Sequence, residues 1–366
     1  MEYEIDELVK LAKRENNKKR EYLYVNPLQA KHIPSDPSET LDMCRALAEK
    51  INGRYPGERL FVIGFAETAT GIAAATAHFL NEVSFYQQTT REKNEGEKYL
   101  FFTESHSHAT EQLLSERGLQ EALKGSGRIV FIDDEVTTGN TILKLIEAIG
   151  SARPVTIASV LNSMEEAREQ ELAEKGIECI CLRHIPFEYR KNDIKSICYN
   201  PLHDHDMTTD KVYDIQTESF NNAFNARNAL DFRSFDESAM SLAEKICREF
   251  TGKECRSLLI LGTEEFMYQG ILTGAAIEKT GVSVKVHATT RSPVIASDTA
   301  GYPLHNRYKL RSVYDENRRT YVYNISGYDK VFIFTDAPVL SRGINDLYRT
   351  LEENGNEDIT LIRFNY

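Results

Sequence analysis

Two adjacent carboxylates followed by a run of small, hydroxyl-bearing residues are the groups in this chain best suited to chemistry. Asp133 and Asp134 close the apolar run Ile129 to Ile132. After Glu135 and Val136 come Thr137, Thr138, Gly139, Asn140 and Thr141. A buried strand ending in acids puts anions where open α/β sheets hold their ligands. Ile142 to Ile149 has helical spacing of apolar positions, so the Thr/Gly-rich loop opens a helix whose unpaired N–H groups and positive dipole end face an anion. Carboxylates and a phosphate cradle therefore sit side by side. A ligand that uses both has vicinal hydroxyls or a bound cation at one point and a phosphate close by, which describes a ribose 5-phosphate.

Such groups need a frame, and the chain supplies one. Strand-like runs alternate with helical patterns, which predicts an α/β fold with a mainly parallel sheet. Leu41 to Ile51 reads as a helix, Leu60 to Ile63 as a strand, Gly71 to Leu80 as an alanine-rich helix and Val83 to Tyr86 as a strand. A polar stretch runs from Thr89 to Lys98, and the spacing predicts a helix from Thr110 to Gly118. Beyond the motif strand come a strand at Val155 to Leu161, a helix at Met164 to Lys175 and a strand at Ile177 to Leu182. Residues 184 to 230 read as irregular and polar. Within them His203-Asp204-His205-Asp206 lacks the helical or finger spacing of metal ligands and reads as a solvated turn.

The second half reads as a degraded copy of the first. Leu47-Ala48-Glu49-Lys50-Ile51 recurs as Leu242-Ala243-Glu244-Lys245-Ile246, and apolar strands ending at Gly64 and Gly262 follow. Glu67 and Glu265 stand three residues after those glycines, then Thr89-Thr90-Arg91 matches Thr289-Thr290-Arg291, and Val130 to Asp134 pairs with Phe332 to Asp336. Landmarks in one order at similar separations mark an internal repeat. The copy has lost the cradle. Pro338 lacks an N–H and Leu340 replaces a small residue, which confines the expected site to the first half.

The segment 128 to 141 resembles the phosphoribosyl-pyrophosphate (PRPP) motif of the type I phosphoribosyltransferases, with Glu135 departing from the apolar or small residue usual there. Lys31-His32-Ile33-Pro34 and Gly64-Phe65-Ala66-Glu67-Thr68-Ala69 look like further motifs of that family. Thr290-Arg291-Ser292-Pro293 and the run from Gly262 to Tyr268 resemble the TRSP domain. Proteins with this pairing join an orotate-phosphoribosyltransferase-like domain to a TRSP domain and occur in bacterial tellurite-resistance (Ter) gene clusters thought to make a nucleoside-like metabolite. The resemblance implies a type I phosphoribosyltransferase fold over residues 1–220 and a degenerate phosphoribosyltransferase-like α/β domain over 221–366. It implies transfer of ribose 5-phosphate from PRPP to a base-like acceptor with release of pyrophosphate.

The resemblance also assigns roles. Asp133 and Asp134 would hold the ribose hydroxyls, and Thr137 to Thr141 the 5-phosphate. Ala66, Glu67 and Thr68 would form a pyrophosphate loop through backbone N–H groups. Arg91 and Lys93, with Lys98, would belong to a cationic lid that excludes water, Arg91 gripping pyrophosphate with its planar fork. His106 and His108 are candidate proton donors at the far end of that lid, and Lys31 and His32 candidate acceptor contacts. Mg²⁺ would be held mainly through PRPP, with Asp133 and Asp134 as candidate protein ligands. The second half would act as an intrachain pseudo-dimer partner, a homodimer being the other arrangement. A PRPP or nucleotide sensor without catalysis is the alternative function, and a kinase of the PRPP-synthetase type lacks a convincing ATP site.

The whole-chain balance agrees with a small-molecule enzyme. A net charge of -12 argues against a protein whose main partner is nucleic acid, since phosphate-tracking surfaces need clustered Lys and Arg. Cys44, Cys179, Cys181, Cys198, Cys247 and Cys255 show no C-x-x-C pair and no disulfide spacing. The charged amphipathic start is unlike a signal peptide, and no apolar run reaches the roughly 18 residues of a membrane span. These features predict a cytoplasmic location.

Overall fold

Strand Leu230–Asp231 pairs antiparallel with Val83–Gln88, while Gln216–Phe220 pairs parallel with Ile359–Phe364. These pairings come from the computed structural model, which describes residues 2–17, 20–94, 96–102, 112–185, 191–250 and 255–366. They explain why the chain does not divide at residue 220. One unit comprises Met1–Ile5, Leu41–Glu188 and Phe224–Ala239; the other comprises Asp6–Thr40, Tyr189–Ala223 and Met240–Tyr366. Each sheet takes an edge strand from the far side of the expected cut.

The first unit is built on six strands in the order Leu230–Asp231, Val83–Gln88, Leu60–Gly64, Arg128–Val136, Val155–Asn162 and Ile177–His184. All neighbours are parallel except the first pair. Parallel strands covered on both faces read as continuous apolar runs, and Phe61, Val62, Ile63, Val130, Phe131 and Ile132 are all fully buried. Helix Thr70–His78 is buried from Thr70 to Ala77, which its Ala-rich sequence permits, because small side chains let it lie close to the sheet. Gly64 is required by that approach: a Cβ there would stand 2.6 Å from the Ala73 Cβ and 3.0 Å from the Tyr86 hydroxyl.

The chain leaves Leu60–Gly64 toward Val83–Gln88 on one side and returns on the other as Arg128–Val136. This reversal is a topological switch point, where turns at the carboxyl ends diverge and leave a crevice. Most expected elements appear here within a few residues. The exception is the helix expected from Thr110 to Gly118: Gln112–Ser115 is a strand, paired antiparallel with Tyr99–Phe102. Its Leu113 and Leu114 are adjacent and both buried, a pattern too short to separate strand from helix. Helix Leu119–Gly125 follows instead.

The second unit has five parallel strands in the order Gln216–Phe220, Ile359–Phe364, Lys330–Thr335, Ser257–Gly262 and Ser283–Ala288. Its own switch point lies between Ser257–Gly262 and Lys330–Thr335. Hairpin Arg307–Arg311 with Arg319–Tyr323 is extended by Asp204–Asp206, which is parallel to the former. The His-Asp run expected as a solvated turn is therefore partly a strand. Asp204 is gripped by Arg307 and Lys309 at 2.5 and 2.7 Å with its side chain 2% exposed. Burial opposes its charge, but these cations outweigh burial and hold its carboxyl below the usual range. No group of three or more His, Cys, Asp or Glu side chains that could hold a metal ion occurs among the described residues. No helix there is long and apolar enough to cross a membrane.

Candidate active site

Three turns meet at the switch point of the first unit. Strand Arg128–Val136 carries Asp133 and Asp134 out of the core, both half-buried where Ile132 before them is fully buried. The Asp134 N–H donates to Asp133 Oδ1 at 2.9 Å. Burial and the neighbouring Asp134 charge push the Asp133 carboxyl well above the ordinary carboxylate range. Glu135 accepts from the Ser163 hydroxyl at 2.9 Å, and its charge adds to the rise of the Asp133 carboxyl.

The turn after Leu60–Gly64 approaches the acids. Thr68 Oγ1 donates to Asp134 Oδ1 at 2.8 Å. The start of this turn is fixed by the strand end beside it: Thr89 N–H donates to the Gly64 carbonyl at 2.9 Å, and Ala66 N–H donates to Thr89 Oγ1 at 2.8 Å. The Ala66 N–H, expected on pyrophosphate, is thus committed within the protein. Glu67 is 5% exposed and its carbonyl accepts from Thr70 Oγ1 at 3.4 Å.

The third turn leads into helix Asn140–Ile149. Gly139 is its N-cap with φ 69°, in the left-handed region that favours glycine. Thr137 and Thr141 are half-buried, Thr138 and Asn140 exposed, and Asn140 N–H donates to Thr138 Oγ1 at 3.3 Å. Arg168, on helix Glu166–Glu174, braces this loop from outside: Nε donates to the Thr138 carbonyl at 2.9 Å and Nη2 to Asn140 Oδ1 at 2.7 Å. In a planar trans peptide the C=O and N–H point opposite ways, so holding the Thr138 carbonyl turns the Gly139 N–H away from Arg168.

Arg91 is half-buried, just beyond Thr90, whose backbone bridges to Leu113. The Thr90 hydroxyl accepts from Arg227 Nε at 3.2 Å. Lys93 is exposed, with Nζ 5.3 Å from the Phe101 ring centroid, and Lys98 is exposed too. His106 and His108 lie outside the described residues. Lys31 and His32 are not placed as expected. Both belong to the second unit and are buried there: Lys31 Nζ donates to the Glu264 carbonyl at 2.5 Å, and the His32 ring lies 6.0 Å from that of Tyr323.

Sequence reasoning missed Arg168, Thr89 and Arg227. The repeated Thr-Thr-Arg held a signal for Thr89, since its first threonine caps the preceding turn in both halves. Nothing in the sequence singled out Arg168, which meets the loop only through packing of the next helix.

An open, mainly parallel sheet with acids, a bound-in turn and a helix N-terminus at its switch point is the arrangement in which α/β proteins commonly hold nucleotides and sugar phosphates. Residues 8–184 match a family model described as phosphoribosyl transferase, and residues 225–351 match one described as the TRSP domain C-terminal to it. Residues 8–184 thus belong to the phosphoribosyl transferase family, and residues 225–351 to the TRSP domain that follows it. It matches no curated protein. Among solved structures it is similar to adenine phosphoribosyltransferase from Thermoanaerobacter pseudethanolicus, at 17% identity over 50% of this chain and 98% of that one, with a TM-score of 0.36. The Trypanosoma brucei enzyme, in complex with AMP, pyrophosphate and ribose-5-phosphate, is 20% identical over 45% and 72%, with a TM-score of 0.33. The Giardia lamblia enzyme complexed with 9-deazaadenine is 14% identical over 49% and 94%, with a TM-score of 0.35.

Proposed function

We propose that the first unit transfers ribose 5-phosphate from PRPP to a base-like acceptor and releases pyrophosphate. The observation that carries this reading is the Thr68–Asp134 hydrogen bond, which brings the turn suited to pyrophosphate against the carboxylates suited to ribose. The phosphate loop grows from the same strand.

In this reading Asp133 and Asp134 hold the ribose hydroxyls, and Thr137 to Thr141 hold the 5-phosphate, the Gly139 N–H among the donors. Glu67 and Thr68 border the pyrophosphate, and Arg91 with Lys93 neutralise it. A nitrogen of the acceptor bonds to C1 while the C1–O bond breaks, its electron pair leaving on pyrophosphate and the acceptor's proton passing to solvent or a base. Positive charge builds on the sugar as in glycosidic cleavage, and the adjacent carboxylates stabilise it.

The donor set fits Mg²⁺. Asp133 and Asp134 are adjacent carboxylates, and burial together with their mutual repulsion raises the Asp133 carboxyl, a cost that a shared dication relieves. They would hold it together with PRPP oxygens, and the ion would supply charge neutralisation of the leaving pyrophosphate.

The second unit reads as a degenerate phosphoribosyltransferase domain, on the ground that its strands follow the same order and direction about its switch point. It would take the place of a second subunit, giving a monomer where a homodimer is the other outcome; mass in solution distinguishes them. PRPP consumption fits a cytoplasmic location. The resemblance to proteins of tellurite-resistance gene clusters directs the acceptor search to precursors of nucleoside-like metabolites.

The deciding experiment measures Mg²⁺-dependent pyrophosphate release from PRPP against heterocyclic bases and cell extracts. Release that requires one acceptor class supports transfer. PRPP binding without release across the panel would make the protein a sensor instead.

A further inference from the structure

At the switch point of the second unit, one residue gathers an unusual set of donors. Glu264 is fully buried and adopts φ 49°, a left-handed conformation that disfavours a non-glycine residue. Its carboxylate accepts from Arg291 Nε at 2.6 Å, pairs with Arg318 Nη2 at 3.1 Å and accepts from the Ser312 hydroxyl. Its carbonyl accepts from Lys31 Nζ. Two guanidinium groups, a hydroxyl and an ammonium converging on one residue are what a phosphate-binding protein offers a ligand. Here the chain supplies the anion itself.

The backbone shows which position this is. In the first unit Thr89 N–H donates to Gly64, Ala66 N–H to Thr89 Oγ1, Phe65 N–H to Ile132, and Thr90 exchanges bonds with Leu113. In the second, Thr289 N–H donates to Gly262, Glu264 N–H to Thr289 Oγ1 at 3.0 Å, Thr263 N–H to Phe334, and Thr290 exchanges bonds with Tyr321. Bond by bond, Glu264 stands where the first unit has Ala66, and Arg291 where it has Arg91. The neighbouring acid is closed as well, since Asp336, in the place of Asp134, accepts from the hydroxyls of Tyr314 and Tyr366.

We propose that Glu264 is a built-in anion: its carboxylate fills, in the second unit, the place that a ligand phosphate takes beside Ala66 in the first. The second unit is thereby closed to phosphorylated ligands and retains a latent diphosphate site that removing this carboxylate opens. The statement about Ala66 rests on the PRPP reading of the first unit; the statement about Glu264 stands on its own geometry.

The test titrates inorganic pyrophosphate into the full-length protein by calorimetry. Glu264→Ala should bind one equivalent more than wild type, and adding Arg291→Met should remove that equivalent. Glu264→Gln, which keeps the volume but not the charge, should gain none. A Glu264→Ala variant with wild-type circular dichroism and elution that binds no more pyrophosphate than wild type overturns the proposal, as does a gain by Glu264→Gln. Should Glu264→Ala fail to fold in plain buffer, recovery of folded protein on refolding with pyrophosphate or acetate supports the proposal, and failure of both anions to rescue it overturns it. Because the readout is the difference from wild type, an absence of pyrophosphate binding by wild type itself would count against the first-unit reading alone.

Discussion

Thr68 and Asp134 are joined by a 2.8 Å hydrogen bond although they lie 66 residues apart in sequence. The bond fixes one carboxylate oxygen of Asp134 and ties the turn after Leu60–Gly64 to the strand that bears the acids. Asp134→Asn should lower turnover on the order of 10² to 10³, the loss when a preorganised charge contact to the transition state is removed. Thr68→Ala should cost roughly tenfold, since it removes a hydrogen bond to a charged group of about 1.5 kcal/mol or more, and Thr68→Ser should restore it. Pyrophosphate release at saturating PRPP measures both. Turnover of Asp134→Asn within about threefold of wild type would remove that residue from the mechanism.

Arg168 acts at one remove. Its two bonds to Thr138 and Asn140 orient the phosphate loop, and its Nη1 is tied back to Glu171 at 2.5 Å. Losing that brace lets the Thr138–Gly139 peptide rotate and misdirect its N–H. Arg168→Ala should therefore raise the KM for PRPP about tenfold with kcat within about twofold, the signature of lost ground-state binding. Lysine cannot span carbonyl and amide in one plane, so Arg168→Lys should recover only part of the loss. An equal fall in kcat and kcat/KM would instead place Arg168 in the chemical step.

Much of this was legible in the sequence because it depends on local pattern. The buried run ending at Asp133, the glycine at Gly139 and the helix that follows are each written in adjacent residues, and the structure has them all. The failures have one physical cause. Lys31 and His32 precede the first long helix in the chain yet pack within the second unit, Leu230–Asp231 crosses to the first sheet, and Asp204 sits in a strand held by Arg307. Each depends on pairing between segments about a hundred or more residues apart, which neither periodicity nor spacing encodes. The internal repeat is the instructive case. It was visible as five landmarks, but the meaning of Ala66 against Glu264 appeared only when the two sets of backbone bonds were matched.

That match yields a reciprocal experiment. Ala66 is 7% exposed, and Ala66→Glu would write the second unit's anion into the first. A carboxylate about 4 Å from a bound phosphate repels it by about 4 kcal/mol at an effective dielectric of 20, on the order of 10³ in affinity. PRPP binding by calorimetry should be lost accordingly. Ala66→Gln, of the same size and uncharged, separates repulsion from crowding and should retain far more binding. Equal losses in both variants would show that volume alone is responsible.

His287, on strand Ser283–Ala288, gives the second unit a pH dependence of its own. It is buried, its Nε2 lies 2.9 Å from the Tyr323 carbonyl, and burial, aided by the charges of His32 and Lys31, lowers its pKa to about 4. A histidine held neutral in the folded state stabilises fully above its unfolded pKa of about 6.5, where neither state takes a proton. As pH falls from 6.5 toward 4, the unfolded chain binds a proton that the folded chain refuses, and stability drains away. The total is about 3 kcal/mol, of which about 2 is gone by pH 5, above the range where most carboxylates titrate. Urea midpoints at pH 7.5 and pH 5 should therefore fall further for wild type than for His287→Gln, which keeps a donor for the Tyr323 carbonyl but has no titrating ring. Parallel declines in the two proteins would assign the acid sensitivity to other groups.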